Sequence, residues 1–139
     1  MTLAEFMNKY PAGTRIDFDG SYGAQCVDLF RRYNQEVNEL PHTGPCTVTG
    51  GAVDLVRNYS HMPVEKKYYK CLKTTTPQSG DVAVWPETSK NKYGHVAIVI
   101  YYDTTLKSVL VMEQDGIQQN GVQYKYRDAT TIEAVLRLR

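Results

Sequence analysis

One stretch in the second half of the chain decides the fold: His95-Val96-Ala97-Ile98-Val99-Ile100-Tyr101-Tyr102. It is rich in β-branched and aromatic residues, which is typical of a strand, and it is far shorter than the ~20 residues that cross a bilayer. Three further segments of this kind, 81–85, 108–114 and 134–138, are bounded by turn residues. The second half of the chain therefore predicts an antiparallel β-sheet.

The first half of the chain has helical periodicity instead. Apolar residues recur every three or four positions within 2–10, and again from about Cys26 to residue 37. Glycine and proline are frequent in 41–51, which predicts a loop, and a short helical pattern follows at 52–56. Helices followed by an antiparallel sheet indicate the α+β class, with the N-terminal helices packed on the sheet.

Composition excludes several classes of protein. A chain of 139 residues fits one domain, 1–139, and 42% hydrophobic with 22% charged residues indicates a soluble globular protein. Lys and Arg number 16 against 15 Asp and Glu, so we expect neither nucleic acid nor a membrane surface as a partner. The N-terminus lacks the apolar stretch of a secretory signal, which predicts that the protein stays in the cytoplasm unless it is released.

Cys26 is the candidate nucleophile among the three cysteines. It alone stands where a loop passes into a predicted helix, and helix N-terminal amides favour the thiolate that attacks carbonyl groups. The alternative is a small buried apolar residue on a helix face, which is common for a free cysteine. A catalytic partner would decide between these interpretations.

His95 and Glu113 are the candidate partners. A hairpin with its connection at 102–106 places His95 opposite Glu113, with Cβ atoms ~4.5–5.5 Å apart. A carboxylate on one ring nitrogen would orient the other toward the thiol. Asp115 is the second choice for the acid if the strand bulges, and a polar histidine at a sheet edge is the alternative for His95. The Gln25 side chain and the Cys26 backbone N–H are candidate donors to an oxyanion.

Four blocks of sequence carry a resemblance to a known family. They are DFDGSYGAQCVDL at 17–29, PQSGDV at 77–82, YGHVAIV at 93–99 and MEQD at 112–115. In order and spacing they resemble a CHAP domain, a cysteine- and histidine-dependent amidohydrolase or peptidase, of the kind found in bacteriophage endolysins that cleave Gram-positive peptidoglycan. The resemblance implies a papain-like α+β fold, Cys26 as nucleophile, His95 as base, Glu113 as orienting acid and Gln25 in the oxyanion hole. Many relatives carry Asn where this chain has Asp115, which leaves its role open.

An acidic loop precedes and overlaps the start of the second helix. Asp17, Asp19, Ser21, Gly23 and Asp28 have the ligand spacing of a twelve-residue EF-hand loop. Tyr22 replaces the turn glycine of that motif, and Asp28 replaces its final Glu. The spacing alone leaves open both a calcium site and a solvated acidic loop. The resemblance favours Ca²⁺, because endolysin CHAP domains often bind calcium here.

The resemblance implies hydrolysis of an amide bond in peptidoglycan through an acyl-enzyme on Cys26. The muramoyl–alanine amide and the peptide crossbridge are both open as the bond cleaved. One alternative is an NlpC-type cell-wall peptidase, which usually has a second histidine where this chain has Glu113. Another is a wall-binding module without catalysis, against which the thiol, imidazole and carboxylate argue. A C-terminal wall-binding domain outside this chain is a further expectation.

Overall fold

The computed structural model describes residues 1–46 and 48–139. Its helices are α1 (Leu3–Lys9), α2 (Cys26–Glu36), α3 (Asp54–Arg57) and α4 (Pro63–Tyr68), and its strands are β1 (Tyr69–Leu72), β2 (Val82–Trp85), β3 (His95–Asp103), β4 (Ser108–Gln114), β5 (Val122–Asp128) and β6 (Ala134–Leu138). Helices precede an antiparallel sheet, so the predicted α+β class is confirmed. No helix in the described ranges is both long enough and apolar enough to cross a membrane.

Local hydrogen bonds fix where the first two helices begin. Thr2 and Glu5 form a capping box at α1, in which each side chain accepts a hydrogen bond from the other's backbone N–H at 3.1 Å. At α2, the Asp28 carboxylate accepts the Gln25 backbone N–H at 3.0 Å. Cys26 is therefore the first residue of α2, as the sequence predicted.

The sheet has six strands in the order β1-β6-β2-β3-β4-β5, and every neighbouring pair is antiparallel. Four of the six strands were predicted from the sequence, whereas β1 and β5 were not. Strand β5 carries a period-two signal, because Val122, Tyr124 and Tyr126 alternate with polar residues. It lies at the edge of the sheet beside β4.

Two hydrophobic clusters cover the two faces of the sheet. On one face α1 and α2 pack against the strands, with Phe6, Leu29, Phe30, Val96, Ile98 and Met112 all buried. On the other face Ala129 and Ile132 cover Ala83, Ala97, Val99 and Val111. Successive residues of β3 and β4 therefore point into different clusters, as strand geometry requires.

The predicted register of the β3–β4 hairpin was wrong by two residues near the site. Val99 pairs with Val111 and Ile98 with Met112, so the ladder does not set His95 directly opposite Glu113. The later position of the turn causes the shift, and a bulge between Val99 and Tyr101 reduces it by one residue. A shift of two keeps both side chains on the same face, where they become diagonal neighbours within reach of each other.

The side chain of Gln114 ties α2 and the preceding loop to the end of β4. This fully buried amide accepts a hydrogen bond from the Ile16 N–H at 2.8 Å, and its Nε2 donates to the carbonyl groups of Ile16 at 3.0 Å and Gln25 at 2.9 Å. Three backbone groups that are shielded from water thus find partners in one side chain. The position of Cys26 relative to the sheet depends on this clasp.

We expect Gln114→Leu to lower the free energy of unfolding by about 2–4 kcal/mol, because it preserves volume but leaves these three backbone groups unpaired. Urea denaturation monitored by circular dichroism measures the change. Gln118→Leu is the matched control, since Gln118 is exposed and its side-chain oxygen accepts a hydrogen bond from the side chain of Asn120. Equal unfolding midpoints for the two variants would contradict a structural role for Gln114.

Candidate active site

Cys26 is half-buried at the start of α2 and faces a cleft of about 470 Å³. Gln25 lies beside it in the same lining, and His95 faces both. The main chain around Gln25 is fixed by Gln114, as described above. The structure therefore brings together the predicted nucleophile, the predicted base and the predicted oxyanion donor at one end of the sheet.

A second glutamine holds the turn that precedes Cys26. The Gln119 side-chain oxygen accepts hydrogen bonds from the Ala24 N–H at 3.0 Å and from Arg15 at 2.7 Å. A Cβ at Gly23 would lie 2.4 Å from that oxygen, and the φ of Gly23 is +74°. Gly23, predicted as a calcium ligand position, thus has a separate structural reason to be glycine. Gln119 was not anticipated, since no local pattern marks a contact across so many residues.

The His95 ring stands between the thiol and a carboxylate. It is buried, its Nε2 lies 3.1 Å from Oε1 of Glu113, and it lines the same cleft as Cys26. Burial lowers the pKa of His95, but the hydrogen bonds to Cys26 and Glu113 outweigh burial and raise the pKa to about 9. The ring is therefore held in its protonated form at neutral pH.

Glu113 is fully buried and accepts hydrogen bonds from three side chains. Arg127 donates to both of its oxygens, the second bond being 2.8 Å long, and Gln123 donates to Oε2 at 2.8 Å. Burial alone would raise the pKa of Glu113, yet the bonds from Arg127 and His95 hold it far below its ordinary range. Arg127 and Gln123 were missed together with β5, and they keep the acid ionised.

Asp115, the second choice for the acid, has a different role in the structure. Its Oδ1 accepts the backbone N–H groups of Ile117 at 2.8 Å and Gln118 at 3.2 Å, which caps the turn after β4. Among the described residues no hydrogen bond joins Asp115 to His95. The geometry therefore favours Glu113 as the orienting acid.

The other two thiols lie in unreactive surroundings. Burial raises the pKa of Cys46 to about 11, and it also raises the pKa of Cys71. A thiol with a raised pKa is protonated at neutral pH and is a poor nucleophile. All three cysteines are free. Only Cys26 combines exposure to the cleft with a histidine partner.

Three carboxylates gather beside the start of α2. Oxygens of Asp17, Asp19 and Asp28 lie within 4.8 Å of one another, with Asp28 fully buried and the other two exposed. Oδ1 of Asp28 has no hydrogen-bond partner, and burial raises the pKa of this residue, as does the charge of Asp19. Such a donor set fits a hard cation. Ser21, predicted as a further ligand, donates its backbone N–H to Asp19 at 2.8 Å.

A second cavity of about 680 Å³ lies beside the first. Both cavities share His95, Asn91 and Ile117, whereas Cys26 lines only the first and Trp85 and Arg127 line only the second. The Trp85 ring packs 6.1 Å from the imidazole, measured between ring centroids. The two cavities together form a groove that passes over the His95 ring.

Comparisons with known proteins identify relatives of this chain. The chain is 36% identical over 129 residues to endolysin PlyTW of Staphylococcus phage Twort, of which it spans 26%. Its fold is similar to that of Ly7917, with a TM-score of 0.70, 18% identity and coverage of 99% of this chain and 63% of that one. It is also similar to endolysin LysIME-EF1, with a TM-score of 0.69, 20% identity and coverage of 96% and 61%. The model of the CHAP domain family matches residues 16–115, and the chain belongs to that family.

Proposed function

We propose that this chain is a peptidoglycan hydrolase that cuts an amide bond through an acyl-enzyme on Cys26. The alignment of Cys26, His95 and the buried Glu113 carries the proposal, because this arrangement activates a thiol toward carbonyl groups. The relative PlyTW is named an endolysin, and a further solved structure of similar fold is named an N-acetylmuramoyl-L-alanine amidase, from Staphylococcus aureus. That structure has a TM-score of 0.59 and 15% identity, and the match covers all of this chain and 38% of that one.

The proposed reaction has two balanced steps. The proton shared by Cys26 and His95 starts on the imidazole, and the thiolate sulfur attacks the carbonyl carbon while the carbonyl oxygen takes up negative charge. The C–N bond then breaks, and the proton on His95 passes to the leaving nitrogen. Water next attacks the thioester with the now neutral His95 as base, which releases a carboxylic acid and restores the thiolate and the protonated ring. The Cys26 backbone N–H and the Gln25 side chain are the proposed donors to the oxyanion.

Glu113 separates this proposal from its rivals. A buried carboxylate aimed at His95 fills the place that a second histidine usually holds in NlpC-type peptidases. A module that only binds the wall does not need an ionised carboxylate hydrogen-bonded to a histidine. Burying such a carboxylate costs free energy of desolvation, and a binding module would gain nothing in return. Hydrolysis by a Cys-His-Glu site is the function that accounts for this arrangement.

We also propose that Asp17, Asp19 and Asp28 hold Ca²⁺, with oxygens of Ser21 and Gly23 completing the site. The lack of a hydrogen bond at Oδ1 of Asp28 and the close approach of the three carboxylates support this, although Arg31 lies 3.8 Å from that oxygen. Calcium would neutralise their repulsion and fix the loop that leads to Cys26. The chemistry at the carbonyl group would remain with Cys26 and His95.

The proposed site of action is the cell wall of a Gram-positive host, reached after release from the host cytoplasm. Either the muramoyl–alanine amide or the peptide crossbridge suits the chemistry of an acyl-enzyme. Mass spectrometry of digested peptidoglycan identifies the bond, since each cleavage creates a different new amino terminus. The masses of the peptidoglycan fragments released by this chain show which of the two bonds was cut.

We expect Cys26→Ala to reduce lysis of Gram-positive walls by on the order of 10³-fold or more, because the acyl-enzyme needs the thiol. Loss of turbidity of a cell-wall suspension measures the rate. Cys46→Ala is the control and should retain activity, since that thiol is protonated at neutral pH and does not line the cleft. Lysis by Cys26→Ala at the wild-type rate would rule out this nucleophile.

The pH dependence tests the pair of His95 and Glu113. The pKa of His95 is raised to about 9, so activity that needs the imidazolium persists below that value and declines as pH rises through it. Glu113→Gln removes the negative charge that raises this pKa, so the decline should begin at lower pH. Lysis rates between pH 6 and about 10 measure the shift.

Glu87→Gln provides the control for that experiment, because the exposed Glu87 pairs with Arg57 instead of touching the site. The lysis rate of Glu87→Gln should decline over the same alkaline pH range as that of the wild type. If Glu113→Gln and Glu87→Gln show the same profile, Glu113 does not set the protonation of His95.

Chelation tests the calcium site. Removing the cation should lower both Tm and the lysis rate, because three nearby carboxylates then repel one another, and added calcium should restore both. The double variant Asp17→Asn, Asp19→Asn should lose this dependence, whereas Asp103→Asn, in the β3–β4 turn, should keep it. Thermal denaturation at several calcium concentrations provides the measurement. A Tm that ignores both chelator and calcium in a metal-free preparation would contradict the site.

A further inference from the structure

A second buried aspartate organises the loop on the far side of the cleft. Asp54, the first residue of α3, is only 1% exposed. Its carboxylate accepts the backbone N–H groups of Val48 at 3.0 Å, Thr49 at 2.9 Å and Gly50 at 3.1 Å. The Thr49 hydroxyl donates to it as well, at 3.1 Å. One side chain therefore gathers three consecutive amides.

These amides belong to a wall of the cleft that contains Cys26. Residues 49–52 line that cleft together with Cys26 and Gln25. The hydroxyl of Thr49 also accepts the N–H of Gly51 at 3.1 Å, which extends the ordered region by one residue. Most of the wall has little or no side chain, so a peptide segment of the substrate can approach its backbone closely. We name residues 48–52 the cleft wall.

The cleft wall also supports the segment that leads to His95. The Val53 N–H donates to the carbonyl of Tyr93 at 3.0 Å. A Cβ on Gly51 would lie 2.3 Å from the Cβ of Tyr93, so the two backbones are in direct contact there. The position of the cleft wall is thus coupled to the position of the segment around Tyr93. Strand β3 begins two residues after Tyr93.

We propose that Asp54 is a positioning residue for substrate, which holds the cleft wall against the peptide being cut. Without its carboxylate the three amides lose their shared acceptor, and the wall loses its fixed shape. The thiol and His95 are held by other contacts, from Gln114, Glu113 and Arg127, and their chemistry stays intact. The inference rests on the proposed hydrolysis only for the identity of the substrate.

The test is Asp54→Asn, assayed at increasing concentrations of purified cell wall. The concentration for half-maximal rate should rise about tenfold, while the maximal rate changes by less than about threefold. Hydrogen exchange at the amides of Val48, Thr49 and Gly50 should accelerate. Alkylation of Cys26 by iodoacetamide should keep its wild-type rate, because the thiol is positioned elsewhere.

Asp81→Asn is the matched control. Asp81 is also buried, and it pairs with Arg137 at 2.8 Å and accepts the Gln78 N–H at 2.8 Å, but it lines neither cavity. Its loss should lower Tm without changing the half-saturating concentration. Equal effects of the two substitutions on that concentration would overturn the proposal, because they would indicate a general loss of stability.

If Asp54→Asn does not fold, Gly51→Ala replaces it as the test. The Cβ of the new alanine would collide with Tyr93 and displace the cleft wall, while Asp54 itself is unchanged. The same rise in half-saturating concentration is expected, and an unchanged value overturns the proposal. If the wild-type chain does not degrade walls, the proposed function fails. Hydrogen exchange then still tests the positioning role, and unchanged exchange at 48–50 in Asp54→Asn overturns it.

Discussion

The buried charge of Glu113 constrains the whole catalytic end of the sheet. A carboxylate removed from water costs several kcal/mol unless it is paired and hydrogen-bonded. Its partners come from two different strands, His95 from β3 and Arg127 with Gln123 from β5. All three strands must therefore align at one point, and any slip leaves an unpaired charge. The same alignment that makes the charge tolerable also sets the orientation of the histidine ring.

The next residue of the same strand fixes Cys26, the other member of the proposed catalytic pair. Side chains alternate along β4, so Glu113 points to the face of Val111 while Gln114 points to the face covered by α2. Gln114 clamps the backbone ahead of Cys26, and Glu113 holds His95. Two adjacent residues of β4 thus hold Cys26 and His95. The sheet therefore sets the distance between the thiol and the imidazole.

The sequence predicted those features that depend on local pattern. Both long helices, four of six strands and the grouping of Cys26 with His95 and Glu113 follow from periodicity, from turn residues and from the family motifs. The register near the site did not, because the alternation that identifies a strand fixes neither the exact position of the turn nor the position of a bulge. Arg127 was missed because its strand, β5, was not predicted, although apolar and polar residues alternate along it. Contacts made by Gln114 cross nearly a hundred residues and leave no local signal.

Asp28 and Asp54 show what sequence alone cannot distinguish. Both are buried aspartates in the first turn of a helix that borders the cleft. Asp54 has its oxygens occupied by amides of its own chain, so the wall it holds needs no external ligand. Asp28 keeps one oxygen without a hydrogen bond, 3.8 Å from a guanidinium nitrogen of Arg31 and beside two other carboxylates, and this is the group that the proposed cation would bind. Dependence on the proposed calcium ion should therefore be confined to the Cys26 side of the cleft, while the opposite wall keeps its shape whether or not the ion is bound.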